Sequence, residues 1–162
     1  MEPPPADWFK VNVDGSFVPQ IGGAGIGIVA RDWEGKVVFT TWRVLFRCQD
    51  AVEAEARACL EGFRLASQWC PGSVIIETDC AQMVKAMLEG EDQSQHSFII
   101  SEAKEYAQLL VSWRIAKVRR ESNLVAHELA HLARRNTHYA VWRDQAPACV
   151  HDLLKNYCNP LI

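Results

Sequence analysis

The sequence has no CxxC cysteine pair, no long apolar run and no excess of basic residues. No apolar run approaches the roughly 18 residues that a membrane-spanning helix requires, so no association with a membrane is expected. Internal repeats and low-complexity tracts are absent from the sequence as well, which argues against a repeat protein or a long disordered region.

The six cysteines are scattered along the chain. An even number is compatible with disulfides in a secreted protein, but no signal peptide is recognised, and most of the cysteines lie in segments of apolar periodicity. Buried free thiols are the favoured interpretation. They predict an intracellular, reducing compartment, either the nucleus or the cytoplasm.

The charge balance is slightly acidic, with 17 Lys and Arg against 20 Asp and Glu and a net charge of -3. Proteins that bind nucleic acid tightly on their own normally carry a basic surplus. Only local basic patches are available here, so tight unaided binding to DNA or RNA is not expected.

The chain has 162 residues, of which 49% are hydrophobic and 23% charged, as expected for one globular domain with a substantial core. We predict a linker or disordered arm over 1–7, the domain over 8–135 and a C-terminal tail over 136–162 that packs on it. The proline-rich start suggests a domain taken from, or descended from, a longer polypeptide.

The segment from Val11 to Ser16 is the centre of the predicted domain. Val11 and Val13 alternate with polar residues, which is typical of a strand with one buried face. Gly15 and Ser16 are expected to end the strand and to leave Asp14 at its exposed end. An isolated Asp before a glycine is usually a turn residue, so any function of Asp14 depends on other carboxylates nearby.

The order of strand and helix patterns predicts a mixed sheet with helices. Three antiparallel strands come first, and the helix and strand that follow them imply a parallel crossover connection. The predicted strands are 8–14, 23–31, 36–46, 73–78 and 111–118. The predicted helices are 50–68, with Asp50 as N-cap, 81–88, 98–110 and 123–135, and 90–95 is a polar loop.

Glycines recur in the second predicted strand, from Gly22 to Gly27. A phosphate-binding loop is excluded because no Gly-Lys-Ser/Thr follows them. Glycines in a strand instead allow a neighbouring backbone or a ligand to approach closely.

Two further carboxylates, Glu55 and Asp79, lie at the edges of elements that could pack beside the first strand. Glu53 and Glu55 are two apart on a helix and point to different faces, so only one of them can join Asp14. Carboxylates that converge repel one another, and divalent cations are the natural counter-charge. Oxygen ligands favour Mg2+, and two ions about 3.5–4 Å apart would suit phosphoryl transfer.

Five blocks occur in the order VNVDGS, GGAGIGIVARDWEGKVV, AEARACLEGFRLA, VIIETD and VRRESNLVAHELAHLA. In this order they resemble ribonuclease H, specifically the RNase H-like domains that accompany reverse transcriptases of non-LTR retroelements in plant genomes. The resemblance runs from about residue 8 to residue 133.

The resemblance implies an α/β RNase H-like fold, a five-stranded mixed sheet of order 3-2-1-4-5 flanked by helices. It implies hydrolysis of the RNA strand of RNA/DNA hybrids at a two-ion Mg2+ site, with Mn2+ as an alternative. The catalytic and metal-binding positions correspond to Asp14, Glu55, Asp79 and His127, with Glu55 preferred over Glu53. The substrate-binding positions correspond to Asn12, Gly15, Ser16, Arg120 and Asn123.

His127 is a departure from the family pattern, which has Ala-Asp-x-Leu-Ala where this chain has Ala-His-Glu-Leu-Ala. A neutral imidazole can bind a metal, but it brings no negative charge and suits softer ions. Glu128 is a poor substitute, since it is turned about 100° away on a helix. Two hypotheses follow: an endoribonuclease weakened at this position, or a catalytically degenerate module that binds nucleic acid or a protein partner.

Residues 127–131 also match H-E-x-x-H, the zinc-protease motif, whose two histidines share a helix face. The extended motif is not present, because Arg134 and Thr137 occupy the positions of its glycine and third histidine, and no Glu follows His131. We therefore interpret His131 as a half-exposed helix residue.

Overall fold

The computed structural model of the chain describes residues 3–90 and 95–158. Residues 1–2 of the predicted arm, 91–94 of the predicted polar loop and 159–162 of the predicted tail lie outside the described residues. Among the helices of the described part, none has the length and apolar character needed to cross a membrane.

One mixed sheet with helices on both faces forms the domain. Its strands are β1 (Trp8–Val18), β2 (Gly23–Arg31), β3 (Val37–Leu45), β4 (Ser73–Thr78), β5 (Trp113–Lys117) and β6 (Tyr139–Arg143). The helices are α1 (Ala51–Trp69), α2 (Ala81–Leu88), α3 (Ser97–Ala107), α4 (Leu124–Asn136) and α5 (His151–Cys158), with 3-10 turns at Arg120–Ser122 and Ala148–Val150.

The strand order is β5-β4-β1-β2-β3-β6, in which β1 to β5 have the predicted order 3-2-1-4-5. The α/β RNase H-like fold class is therefore confirmed. The predicted number of five strands is wrong, because β6, which lies in the segment predicted to be a C-terminal tail packing on the domain, pairs antiparallel with β3. Since β3 would otherwise be the sheet edge, β6 satisfies its open backbone groups.

β1 extends beyond its predicted end, since Gly15 and Ser16 pair with Ile26 and Gly25 of β2 instead of forming a turn. Asp14 is therefore in the interior of a strand and is 2% exposed, which corrects the expectation of an exposed strand end. Gly15 serves close packing: a Cβ there would lie 2.5 Å from the backbone carbonyl carbon of Ala54 in α1.

The two faces of the sheet are covered by different helices. α1 lies on one face of the sheet and α3 packs against α1; the larger core between them includes Val11, Val13, Ile26, Ile28, Phe63, Ile76 and Ile100. α4 and the C-terminal segment cover the other face, where the buried cluster includes Val29, Trp42, Leu129, Val150 and Leu154. The first turn of α1 is capped as predicted, because the Asp50 side chain accepts a hydrogen bond from the Glu53 backbone N–H at 2.7 Å.

α4 lies unusually close to β2. A Cβ at Gly25 would lie 2.5 Å from the Ala130 carbonyl oxygen, and one at Gly27 would overlap the Ala126 carbonyl. The strand glycines thus admit the backbone of a neighbouring element, one of the two predicted uses. Because Gly27 pairs with Asp14, this close packing brings α4 to the site described next.

All five cysteines whose side chains the structure describes are free thiols. Cys48, Cys59 and Cys70 are buried, Cys80 is partly buried, and Cys149 is exposed.

Candidate active site

Three acidic side chains meet where β1, β4 and α1 adjoin. Asp14, Glu55 and Asp79 each offer a carboxylate oxygen, and these oxygens lie within 4.8 Å of one another. We call them the acid group. Glu53 faces away and is bound to Arg57 and to the Gln49 backbone N–H, which agrees with the preference for Glu55.

The topology explains why these acids converge. β1 and β4 are parallel neighbours with Asn12 opposite Glu77, and Asp14 and Asp79 each follow two residues later. Asp79 directly follows β4, so it comes level with Asp14 of the adjacent parallel strand, and the two carboxylates lie close together. Gly15 seats α1 against β1, and its backbone N–H donates a hydrogen bond to the Glu55 carboxylate.

Burial and mutual repulsion disfavour ionisation of the acid group. Burial first, and then the Asp79 charge, raises the pKa of Asp14 to about 6, although His127 and Arg120 act in the opposite direction. Burial, and then repulsion from Asp14 and Asp79, raises the pKa of Glu55 to about 9.

This donor set fits a hard divalent cation. The Glu55 Oε2 atom is buried and has no hydrogen-bond partner in the described part of the chain. Several carboxylate oxygens at short range need positive charge between them, and oxygen-only ligands are those that Mg2+ and Mn2+ prefer.

His127 contacts the acid group through Asp14. Its Nδ1 atom lies 2.8 Å from Asp14 Oδ2, and its side chain is 29% exposed. An ionised carboxylate only accepts, so Nδ1 carries the hydrogen of this bond, and in the neutral tautomer of the ring Nε2 then has the lone pair. His127 therefore lies beside Asp14 as a hydrogen-bond donor, and it is not one of the three residues of the acid group.

The residues expected to contact substrate differ in their exposure to solvent. Arg120 is exposed beside the acid group, with Nε 3.6 Å from Asp79 Oδ2 and 70% of the side chain accessible. Ser16 is 8% exposed, and Gly15 acts through its backbone.

Asn12 and Asn123, also expected to contact substrate, are buried, with 2% and 1% exposure. Asn12 donates to Glu77 Oε1 at 3.0 Å and to Asn123 Oδ1 at 3.1 Å. Asn123 in turn donates to the Val13 carbonyl oxygen at 2.9 Å. The two amides tie the start of α4 to β1 next to Asp14, so the expectation of direct substrate contact is corrected to internal bridging.

Sequence reasoning missed the charged partners of these amides. Glu77 receives Lys10 Nζ at 3.4 Å as well as Asn12, and Arg31 Nη2 donates to Asn12 Oδ1 at 3.0 Å. The sequence contained a signal for these contacts. Lys10, Asn12 and Asp14 are every second residue of a central strand, so they share one of its faces, and buried polar side chains there need hydrogen-bond partners.

The sequence matches the model of one protein family, described as reverse transcriptase-like, over residues 12–133. Comparison with curated protein sequences gives no significant match.

Solved structures with a similar fold include several RNases H. RNase H1 from the halophilic archaeon Halobacterium salinarum superposes with a TM-score of 0.73 at 21% identity, covering 80% of this chain and 98% of its own. The N-terminal RNase H domain of a Mycobacterium tuberculosis protein gives 0.71 at 21% identity, with 78% and 98% coverage. LC11-RNase H1, isolated from compost and solved with an RNA/DNA hybrid, gives 0.69 at 18% identity, with 80% and 98% coverage.

Proposed function

This chain belongs to the reverse transcriptase-like family and has an RNase H-like fold, and from that premise we propose that it is a metal-dependent endoribonuclease that hydrolyses the RNA strand of RNA/DNA hybrids. One observation carries the proposal: three carboxylate oxygens from β1, α1 and the end of β4 lie within 4.8 Å of one another. The retroelement and plant origin implied by the sequence resemblance stays a prediction.

In this proposal Asp14, Glu55 and Asp79 hold the divalent ions, either Mg2+ or Mn2+. When bound, a pair of such ions supplies an activated water and stabilises the leaving oxygen of a phosphodiester. The chain's own groups orient these ligands: the Gly15 N–H fixes Glu55, and the His127 Nδ1–H fixes Asp14.

Substrate binding in the proposal depends on charge beside the acid group. Arg120 places an exposed guanidinium there, and guanidinium groups pair well with phosphate oxygens. The structure of LC11-RNase H1 with an RNA/DNA hybrid supports the proposed substrate class by analogy of fold.

A second candidate is a catalytically degenerate module that binds nucleic acid or a protein partner. The hydrogen bond from His127 to Asp14 favours it, because this bond engages an oxygen that would otherwise be free for an ion. The neutral imidazole also supplies less charge than the acid of the family pattern.

Cleavage of a labelled RNA/DNA hybrid in Mg2+ or Mn2+ separates the two candidates, with single-stranded RNA and duplex DNA as comparison substrates. We expect cleavage of the hybrid by the wild type and loss of it in Asp14→Asn. A folded wild type that binds the hybrid without cleaving it in either metal would contradict the enzyme and favour the module.

A further inference from the structure

The α4 histidine pair, His127 and His131, is a feature that the proposed function does not use as a pair. We propose that the α4 histidine pair binds a transition-metal ion of the Zn2+ or Cu2+ class, at a site next to the acid group but distinct from it. The proposal follows from the geometry of the pair, from the hydrogen bond to Asp14 and from the ligand preferences of metals.

The geometry of the pair suits a chelate. The two residues are four apart on α4, with ring centroids 4.3 Å apart, and both side chains are partly exposed. Histidines at this spacing share one helix face, which is the arrangement that zinc sites on helices use. α4 is a firm support, because Leu129 and Ala130 on its buried face are 0% exposed.

Asp14 prepares His127 as a ligand. The Asp14 carboxylate accepts from Nδ1, so in the neutral imidazole Nε2 has the lone pair that a metal ion could use, on a side chain that is 29% exposed. A carboxylate that accepts the second ring N–H of a metal-bound histidine fixes the tautomer and raises the basicity of the ligand. The pair therefore has an outer-sphere partner already in place.

The acid group and the α4 histidine pair are expected to bind different metal ions. Imidazole nitrogens suit Zn2+ and Cu2+, whereas Mg2+ prefers oxygen ligands such as those of the acid group. Asp14 would thus be a direct ligand of the hard ion and an indirect supporter of the softer one. Water would complete the coordination of the ion on the pair.

Occupation of the pair has a consequence for the proposed activity, and this step rests on the proposed function. An ion on Nε2 would hold His127 against Asp14 and add positive charge there. We expect Zn2+ to inhibit Mg2+-supported cleavage by the wild type and to inhibit a His131→Gln variant much less.

The binding test needs no activity. Zn2+ is titrated calorimetrically into the full chain in millimolar Mg2+, in a Cys149→Ser background, because the exposed thiol of Cys149 would bind Zn2+ itself. We expect His131→Gln to lose the site. The matched control His151→Gln should retain it, since His151 is an exposed histidine that contacts the Ala146 carbonyl.

Two further variants show that the loss is local. His131→Cys supplies another zinc ligand at the same position and should recover binding, which a general folding defect would prevent. Asp14→Asn should weaken Zn2+ binding by roughly 10–100-fold, the usual cost of removing such an outer partner.

Unchanged Zn2+ affinity in His131→Gln would overturn the proposal. Complete displacement of Zn2+ by Mg2+ would also overturn it, because the ion would then be in the acid group. If the wild type cleaves no hybrid, the proposed function fails, and the binding titration alone decides this inference. Equal inhibition of the wild type and His131→Gln in an active protein would overturn the inhibitory consequence.

Discussion

His127 is the residue on which the chemistry of this site depends most. It occupies the position at which the resemblance to ribonuclease H implies an acid, and it donates to Asp14 at 2.8 Å. The bond preserves contact between α4 and the acid group, but it replaces a negative charge with a neutral donor. Compared with an acid at this position, His127 supplies one negative charge fewer beside the ion that Asp14 would hold.

Restoring that charge with His127→Asp should raise Mg2+-supported cleavage of an RNA/DNA hybrid. We expect a gain of roughly tenfold or more, the scale on which single groups around a metal alter affinity or activity. A folded His127→Asp protein as inactive as Asp14→Asn would show that the defect lies elsewhere.

The acid group should also make the metal-free protein less stable as the pH rises. The pKa of Glu55 is raised to about 9, so the folded state holds a proton that the unfolded chain has lost at neutral pH. The free energy of unfolding therefore falls with increasing pH between the ordinary carboxyl pKa, about 4.3, and about 9. Asp14, with a pKa of about 6, contributes the same sign over the lower part of this window.

Thermal unfolding in a chelator across this pH range measures the effect. Glu55→Gln should flatten the dependence, and saturating Mg2+ should reduce it, since the cation stabilises the ionised carboxylates. A melting temperature that rises from pH 5 to pH 9 in the metal-free wild type would contradict the assignment of Glu55 to a crowded acid group.

At the scale of elements, the packing of α4 on β2 determines whether His127 reaches Asp14. Gly25 and Gly27 allow this contact, and Asn123 ties the beginning of the helix to the Val13 carbonyl. The two glycines and the Asn123 hydrogen bond set the distance between the backbones of α4 and the sheet. Small changes in β2 or at the start of α4 should therefore shift His127 relative to Asp14.

Gly27→Ala should therefore destabilise the protein, by about 1–3 kcal/mol, as overpacking in a close contact usually does. The matched control is Gly90→Ala, because a Cβ at Gly90 meets no atom of the described residues within 4 Å. Urea unfolding measures both variants. Equal stability of Gly27→Ala and the wild type would mean that α4 and β2 are not in the tight contact described.

The periodicity of apolar residues predicted most helices and strands, because it reflects which face of each element is buried. It placed β2 and β4 at their observed limits, 23–31 and 73–78. It failed at Gly15, where a glycine that suggested a turn instead lets α1 approach the strand. It also failed at β6, a short strand whose pairing with β3 spans about a hundred residues of sequence and leaves no local pattern.

At the scale of the whole molecule, the fold brings together acids that are far apart in the sequence. Spacing alone could not show that Asp14, Glu55 and Asp79 converge, since that depends on the parallel pairing of β1 with β4. Only the ordered resemblance to RNase H indicated it. The resemblance assigned Asn12 and Asn123 to substrate. Their burial could not be predicted from the sequence, because it arises from tertiary contacts between β1, β4 and α4.

The net charge of -3 predicts how the molecule binds its substrate. Affinity for an RNA/DNA hybrid should be weak, and its dependence on salt shallow, because few phosphates would be neutralised. Fluorescence anisotropy over a salt series, with Asp14→Asn to prevent cleavage, measures the slope. Tight binding that falls steeply between low and physiological salt would reveal a concentrated basic face.

The central claim is that the acid group is a metal-dependent nuclease centre. The most direct test is the initial rate of hybrid cleavage over a range of Mg2+ and Mn2+ concentrations, in the wild type, Glu55→Gln and Glu53→Gln. The two variants make the same change on α1 two residues apart, and only Glu55 belongs to the acid group. We predict cleavage by the wild type and Glu53→Gln that requires the metal, and none above background by Glu55→Gln. Cleavage that persists in a chelator, or a Glu55→Gln rate equal to that of the wild type, would contradict the claim.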